Sequence, residues 1–319
     1  MTPEPMTPEP AVGFIGLGQM GLPMATRLAQ WPGGLIVYDA RPEAMAPLAE
    51  AGARAAGSVA ELATEVAGEV AGETATAAGL ISVMVRDDDQ VREVAREVAG
   101  AVAAGRAGVI LAIHSTIGPG TAADLAAELE PAGVEVVDAP VSGGFMGAHD
   151  GRLAVMVGGS RDAYERCREP FGRYGDLVMH MGPAGAGTRA KLARNLLHFA
   201  SFTAAAEAQR LAEAAGIDLR KLGRIVRHSD QVTGGAGSII LRRTTAPLDP
   251  DDPLREILEH TRALGEKDLA LALALGAQLG VDLPMAAFAL GHFGTGLGLP
   301  PREAPREAPR REAPREDTT

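Results

Sequence analysis

Gly16-Leu17-Gly18-Gln19-Met20-Gly21 stands directly after an apolar run, AVGFIG from Ala11, and directly before a helical pattern. No other feature constrains the fold as strongly, because a GxGxxG between strand and helix belongs to a strand–helix–strand unit. Gly16 suits the tight turn, Gly18 lets the backbone approach a pyrophosphate, and Gly21 permits close packing of helix on strand. The helix is expected from about Gln19 to Gln30, and LIVYDA follows as a second strand that ends in Asp39, 23 residues after Gly16. A carboxylate at that strand end can accept adenosine ribose hydroxyls, while the helix N-terminus offers free N–H groups to phosphates. Glycines alone would be a weak signal in a chain with 40 of them. Strand, helix and terminal acid together predict a dinucleotide turn.

The alternation continues beyond this unit. Short β-branched runs recur as LISVMV (80–85), GVILAIHST (108–116), VEVVDAP (134–140) and RLAVMVGG (152–159), mostly separated by alanine-rich helical stretches. Such a pattern implies a mainly parallel sheet covered by helices. After about Met181 the strand signals stop, and a helix of about thirty residues is expected to end at Gly216. The reading is an α/β, Rossmann-type dinucleotide-binding domain over 11–182, followed by an all-α C-terminal domain over 183–299. Residues 1–10 repeat MTPEP and are read as flexible; 300–319 repeat Pro, Arg and Glu and are read as a disordered tail. The segment 61–79 repeats AGE and VAG units and is read as a lengthened surface helix or loop.

Composition excludes several classes. Thirty basic against 41 acidic side chains give a net charge of −11, which disfavours nucleic acid and anionic membranes as partners. No apolar run reaches membrane-helix length, and the first ten residues lack the basic and apolar parts of a signal peptide. The single cysteine, Cys167, cannot form an intrachain disulfide and reads as a packing residue. The seven histidines show no metal-ligand spacing, so no metal is expected. A cytoplasmic location is the resulting expectation.

Four further blocks follow the glycine turn in order: IHSTIGPGT (113–121), DAPVSGGFMGAHDGRLAVMVGG (138–159), GPAGAGTRAKLARNLL (182–197) and GEKDLALAL (265–273). With the GFIGLGQMGLPMA opening, they resemble the β-hydroxyacid dehydrogenases over about 11–290. That family includes 3-hydroxyisobutyrate dehydrogenase and several semialdehyde reductases. The resemblance implies an NAD(P)-dependent oxidoreductase acting on a small hydroxyacid or its semialdehyde. It implies Lys191 as the catalytic lysine, Asn195 as its partner, and Ser142, Gly143 and Gly144 as the substrate-carboxylate loop. It further implies cofactor contacts at Met84, Val85, Thr116 and Lys267, beside those of the 16–21 turn and Asp39. The helical domain would carry a homodimer or homotetramer interface.

The residue types suit these roles. Lys191 and Asn195 are spaced i, i+4 on an expected helix and share a face. A lysine in an enclosed site beside NAD⁺ has its charged form disfavoured, which suits proton exchange with an alcohol oxygen. A Ser-Gly-Gly turn presents a hydroxyl and bare backbone N–H groups to a carboxylate. His114 either approaches the cofactor or serves the core; Met20, Met84 and Met146 read as packing residues. Asp39 favours NAD, although Arg41 could instead pair with the 2′-phosphate of NADP. Arg194 either meets a second anionic group on the substrate or points to solvent. Four features depart from the family pattern: Arg194 stands where many relatives carry Asn or His, Gly79 replaces an Asp, Arg86 replaces a proline, and the stretch before Lys267-Asp268 lacks an aromatic. Imine reduction on the same scaffold and a catalytically silent dinucleotide-binding protein are the alternatives.

Overall fold

The computed structural model describes residues 9–67, 79–102 and 108–301. All but the first two residues of the expected 300–319 tail, residues 1–8 and most of the 61–79 segment lie outside these. By Cα proximity the chain forms two compact units, Met1–Asn195 and Leu196–Thr319.

The first unit runs β1 (Val12–Ile15), α1 (Gly21–Arg27), β2 (Leu35–Tyr38), α2 (Ala46–Glu50), β3 (Arg54–Ala55), α3 (Val59–Ala67), β4 (Gly79–Val83) and α4 (Asp88–Val102). It continues with β5 (Val109–Ile113), α5 (Thr121–Leu129), β6 (Val134–Asp138), β7 (Val141–Ser142), α6 (Gly144–Asp150), β8 (Ala154–Gly158), α7 (Arg161–Gly172) and β9 (Leu177–Gly182). The strands form one sheet in the order β3-β2-β1-β4-β5-β6-β8-β7, with β9 beside β8. Pairs from β3 to β6 are all parallel; β8 runs antiparallel to β6 and β7.

Both faces of the sheet are covered, which is why its strands read as continuous apolar runs. Alternate residues enter opposite cores. Phe14, Leu80 and Ile110 pack with Met24, Leu28 and Phe171 on one side. Ile15, Ile81 and Leu111 pack with Leu62, Val94 and Leu125 on the other. Full burial of each such side chain contributes about 1.5–3 kcal/mol. The strand order reverses between β1 and β4, and in such sheets ligands bind beyond the strand ends at this reversal.

Local differences from the sequence expectation have local causes. The helix expected over 19–30 covers only Gly21–Arg27, because 18–20 form the glycine turn and residues after Leu28 turn towards Pro32. Strand β9 was not expected; its apolar residues Leu177, Met179 and Met181 face outwards from the described unit, which hides the usual inward alternation. Met20 and Met84 pack against the first core, but Met146 does not: it is 63% exposed on α6, whose buried residue is Ala148.

The long helix α8 (Ala186–Ala214) begins in the first unit and continues into the second. Gly216 follows at φ +76° and its N–H bonds to Glu213, ending the helix as expected. The second unit adds α9 (Leu219–Thr233), α10 (Arg255–Leu279) and α11 (Pro284–Gly296). Asp218 caps α9 by accepting the Arg220 and Lys221 N–H groups at 2.8 and 3.0 Å. A small core gathers Leu248, Leu258, Leu297 and Leu299 with Phe293. None of the described helices is long and apolar enough to cross a membrane.

Candidate active site

The glycine turn sits at the strand-order reversal. Gly16 N–H donates to Tyr38 O at 2.9 Å and Met84 N–H to Ile15 O at 2.9 Å, which ties the ends of β2, β1 and β4 together. Gly16 has φ +91°, and a Cβ there would lie 2.3 Å from Met84 O; one on Gly21 would lie 1.9 Å from Gly16 O. Only glycine fits at either position. Gly18 faces open space, and the Gly18, Gln19 and Met20 amides have no protein acceptor among the described residues. A groove of about 500 Å³ runs along this turn, lined by Gly16, Gly18, Asp39, Arg41, Met84 and Val85 among others. Open glycine backbone, unpaired amides and a strand-end carboxylate suit a dinucleotide.

Asp39 has more partners than expected. Its Oδ2 accepts the Leu17 N–H at 2.7 Å, and its Oδ1 accepts the Arg41 N–H at 2.9 Å and the Arg41 guanidinium at 3.2 Å. Burial would raise this carboxyl, but hydrogen bonds from the Arg41 and Leu17 backbones and the Arg41 side chain outweigh it and hold it below its ordinary value. Asp39 therefore braces the glycine turn as well as facing the groove. Arg41 is tied to it yet largely exposed. Arg86, in the place of the expected proline, also lines the groove and pairs with Asp87 at 3.1 Å.

Thr116 is exposed just beyond the end of β5, while its neighbour Ser115 is buried and holds Val85. Ser115 Oγ accepts the Val85 N–H at 2.9 Å and donates to Val85 O at 2.7 Å. That brace was not anticipated; a serine just after an apolar strand run was its only signal. His114 belongs to the core. Its Nδ1 donates to Ala139 O at 2.7 Å, and its Nε2 lies 3.1 Å from both Ser82 Oγ and Tyr174 Oη. Burial, partly opposed by the Ala139 bond, lowers its pKa to about 4, so the ring is neutral. Cys167 is likewise a core residue, its thiol pushed by burial to about 12.

Lys191 lies in the second turn of α8, half-buried, with Nζ donating to Val141 O at 2.6 Å. Val141 directly precedes Ser142, Gly143 and Gly144, so the lysine and the expected carboxylate loop are brought together. Gly143 and Gly144, at φ +137° and +64°, are exposed and lead into α6. Burial first, and the Arg194 charge second, hold the Lys191 pKa below its ordinary value. Asn195 shares the helix face, but its Oδ1 accepts from Arg194 at 3.3 Å rather than from Lys191. Lys267 belongs to the second unit, on α10, exposed and paired with Asp268 at 3.0 Å.

The parallel sheet, its strand order and this turn define an NAD(P)-binding oxidoreductase domain followed by a helical one. The family model for the NAD-binding domain of 6-phosphogluconate dehydrogenase matches residues 11–182. A second family model, described as NAD-binding of NADP-dependent 3-hydroxyisobutyrate dehydrogenase, matches 185–297. An uncharacterized oxidoreductase of Mycobacterium tuberculosis is 55% identical, over 94% of this chain and 97% of its own. The mitochondrial 3-hydroxyisobutyrate dehydrogenase of Rattus norvegicus is 35% identical over 70% of this chain and 63% of its own. An NAD-dependent L-serine dehydrogenase of Pseudomonas aeruginosa is 32% identical over 88% and 89%. Among solved structures, a protein of Mycobacterium avium described as an oxidoreductase superposes with a TM-score of 0.83 at 52% identity, covering 92% of this chain and all of its own. An imine reductase of Myxococcus stipitatus, at 19% identity and a TM-score of 0.67 over 88% and 91%, shares the fold. The chain belongs to the β-hydroxyacid dehydrogenase family.

Proposed function

We propose that this oxidoreductase transfers a hydride between NAD(P) and a small β-hydroxyacid or the corresponding semialdehyde. The observation that carries this reading is Lys191, half-buried, its pKa lowered from the ordinary lysine value by burial and by Arg194, and bonded to the residue that precedes Ser142-Gly143-Gly144. When bound, the nicotinamide supplies the hydride acceptor or donor. Gly16, Leu17, Gly18, Gln19, Met20 and Gly21 would hold the pyrophosphate, Asp39 the ribose, and Met84, Val85, Thr116 and Lys267 the rest of the dinucleotide. Ser142, Gly143, Gly144 and Asn195 would hold the substrate carboxylate and hydroxyl in register. In oxidation, neutral Lys191 takes the proton from the substrate hydroxyl; in reduction its ammonium returns a proton to the carbonyl oxygen. NAD is favoured over NADP because the Asp39 charge repels a 2′-phosphate.

The named substrates of the two dehydrogenase relatives, 3-hydroxyisobutyrate and L-serine, both carry a carboxylate and a hydroxyl on the β-carbon. The lysine also separates this reading from the alternatives, since alcohol oxidation needs a proton acceptor beside the oxygen. The test is a screen of 3-hydroxyisobutyrate, L-serine, D-glycerate, 4-hydroxybutyrate and 3-hydroxypropionate with NAD and NADP, on the native protein and Lys191→Ala. Turnover of at least one β-hydroxyacid is expected, with kcat about 10²–10⁴-fold lower in the variant and dinucleotide affinity unchanged. A variant that keeps most of the native rate while chemistry limits turnover would remove Lys191 from the reaction.

A further inference from the structure

Asp138, the last residue of β6, is fully buried and does not line the groove along the glycine turn. Its Oδ1 accepts the Gly185 N–H at 2.7 Å and its Oδ2 the Thr188 N–H at 2.5 Å. These donors belong to the start of α8, where backbone amides lack intrahelical acceptors and a negative charge is favourable. The packing leaves no room for another arrangement. A Cβ on Gly158 would lie 2.2 Å from Asp138 Oδ1, and one on Gly187 would lie 2.2 Å from Met156 O and 2.7 Å from Asp138 O. The helix start is thus seated directly on β6 and β8.

A second bond repeats this one three residues further along each segment. Asp138 holds Thr188, and Val141 O holds Lys191 Nζ. Two contacts, 138 to 188 and 141 to 191, clamp the first turns of α8 against the segment that continues into Ser142-Gly143-Gly144. We propose that Asp138 is a positioning residue for the reaction: it fixes the rotation and seating of α8, and so the position of Lys191 over the 142–144 loop. This inference rests on the reading of Lys191 as the proton-transfer group.

In Asp138→Asn one oxygen becomes an amide NH₂ that confronts a backbone N–H, so one of the two bonds is lost at nearly constant shape. Lys191, released from its half-buried position, then titrates closer to an ordinary lysine. Oxidation needs its neutral form, so kcat/KM rises with pH along a limb set by Lys191. The experiment measures kcat, KM, dinucleotide affinity, melting temperature and this limb for the native protein, Asp138→Asn and Lys191→Ala. The expected result for Asp138→Asn is native dinucleotide affinity, kcat lower by about 10- to 100-fold, and the limb shifted to higher pH. Native kcat, or a lowered kcat with an unmoved limb, overturns the proposal. If Asp138→Asn does not fold, Thr188→Pro makes the same test, because proline is tolerated in the first helical turn and deletes one donor while sparing the carboxylate. A shifted limb there supports the proposal and a native one overturns it. Lys191→Ala separates the two claims: full activity in that variant removes the reading of Lys191 itself, whereas an inactive Lys191→Ala beside a native Asp138→Asn removes only the role of Asp138.

Discussion

At the scale of single residues, Asp39 carries two demands at once. Its carboxylate accepts from the glycine turn and from Arg41, and the residue also lines the groove. In Asp39→Asn the charge that disfavours a 2′-phosphate disappears and Arg41 loses its partner. The expected outcome is a kcat/KM that falls for NAD more than for NADP, read from both cofactors on both proteins. Unchanged selectivity would show that Asp39 braces the turn without reading the ribose. His114 makes a different prediction. Its pKa is about 4 in the fold against 6.5 unfolded. The unfolded chain therefore binds the proton more readily between these values, so stability is fully present above about pH 6.5 and is lost as pH falls towards 4. At about 1.4 kcal/mol per pKa unit, the loss attributable to this ring is about 3 kcal/mol. Denaturant titrations from pH 7 to 4 should show a shallower acid decline in His114→Gln than in the native protein.

Elements are held by caps that lie far away in sequence. Glu207, buried on α8, accepts the Met285 and Ala286 N–H groups at 2.8 and 3.0 Å and so satisfies the start of α11. Its glutamate is 78 residues from the first of these amides, and no local motif announces the contact. Removing it in Glu207→Ala leaves two part-buried amides at a helix start without their acceptor, which should cost about 0.5–2 kcal/mol, the usual range for a lost N-cap. A calorimetric scan should show a lower melting temperature, while dinucleotide binding at the glycine turn stays native. An unchanged melting temperature would mean that water replaces the carboxylate. The same logic explains why the sequence showed where α8 ends and not what seats its start. Gly216 is a local stop signal, whereas Asp138 reaches Thr188 across 50 residues.

At the scale of the molecule, the second unit leaves much apolar surface uncovered. Ile225 on α9 is 64% exposed and Phe288 on α11 is 62% exposed, and α9 has no buried residue. Exposed apolar surface of this kind is typical of interaction sites, and we propose that the helical unit forms a homodimer or homotetramer through it. Light scattering should give a mass at least twice 32.8 kDa, and Ile225→Glu should lower it. A native monomer would refute the proposed assembly. The Pro, Arg and Glu repeat makes a separate prediction. Arg262 Nη1 donates to Pro300 O at 2.8 Å, so a cut after Pro301 spares this contact. That truncation should leave melting temperature and turnover unchanged, because a repeat with little apolar side chain has nothing to bury.

The amino-acid sequence by itself determined the doubly covered, mainly parallel sheet, the glycine turn at its start and the membership of the family. These depend on patterns within a few residues: apolar runs, glycines at set spacing, an acid at a strand end. Lys191, Ser142, Gly143 and Gly144 could also be named from their local blocks. Only the tertiary structure decided that Lys191 is held by Val141 O, that His114 serves the core, and that Asn195 meets Arg194. It also decided that Asp39 ties Leu17 and that Asp138 seats α8. Each of these is a hydrogen bond whose partners or geometry depend on how the chain is folded. A local pattern shows that a polar residue is present; its protonation and its partner are set by which strands and helices close around it.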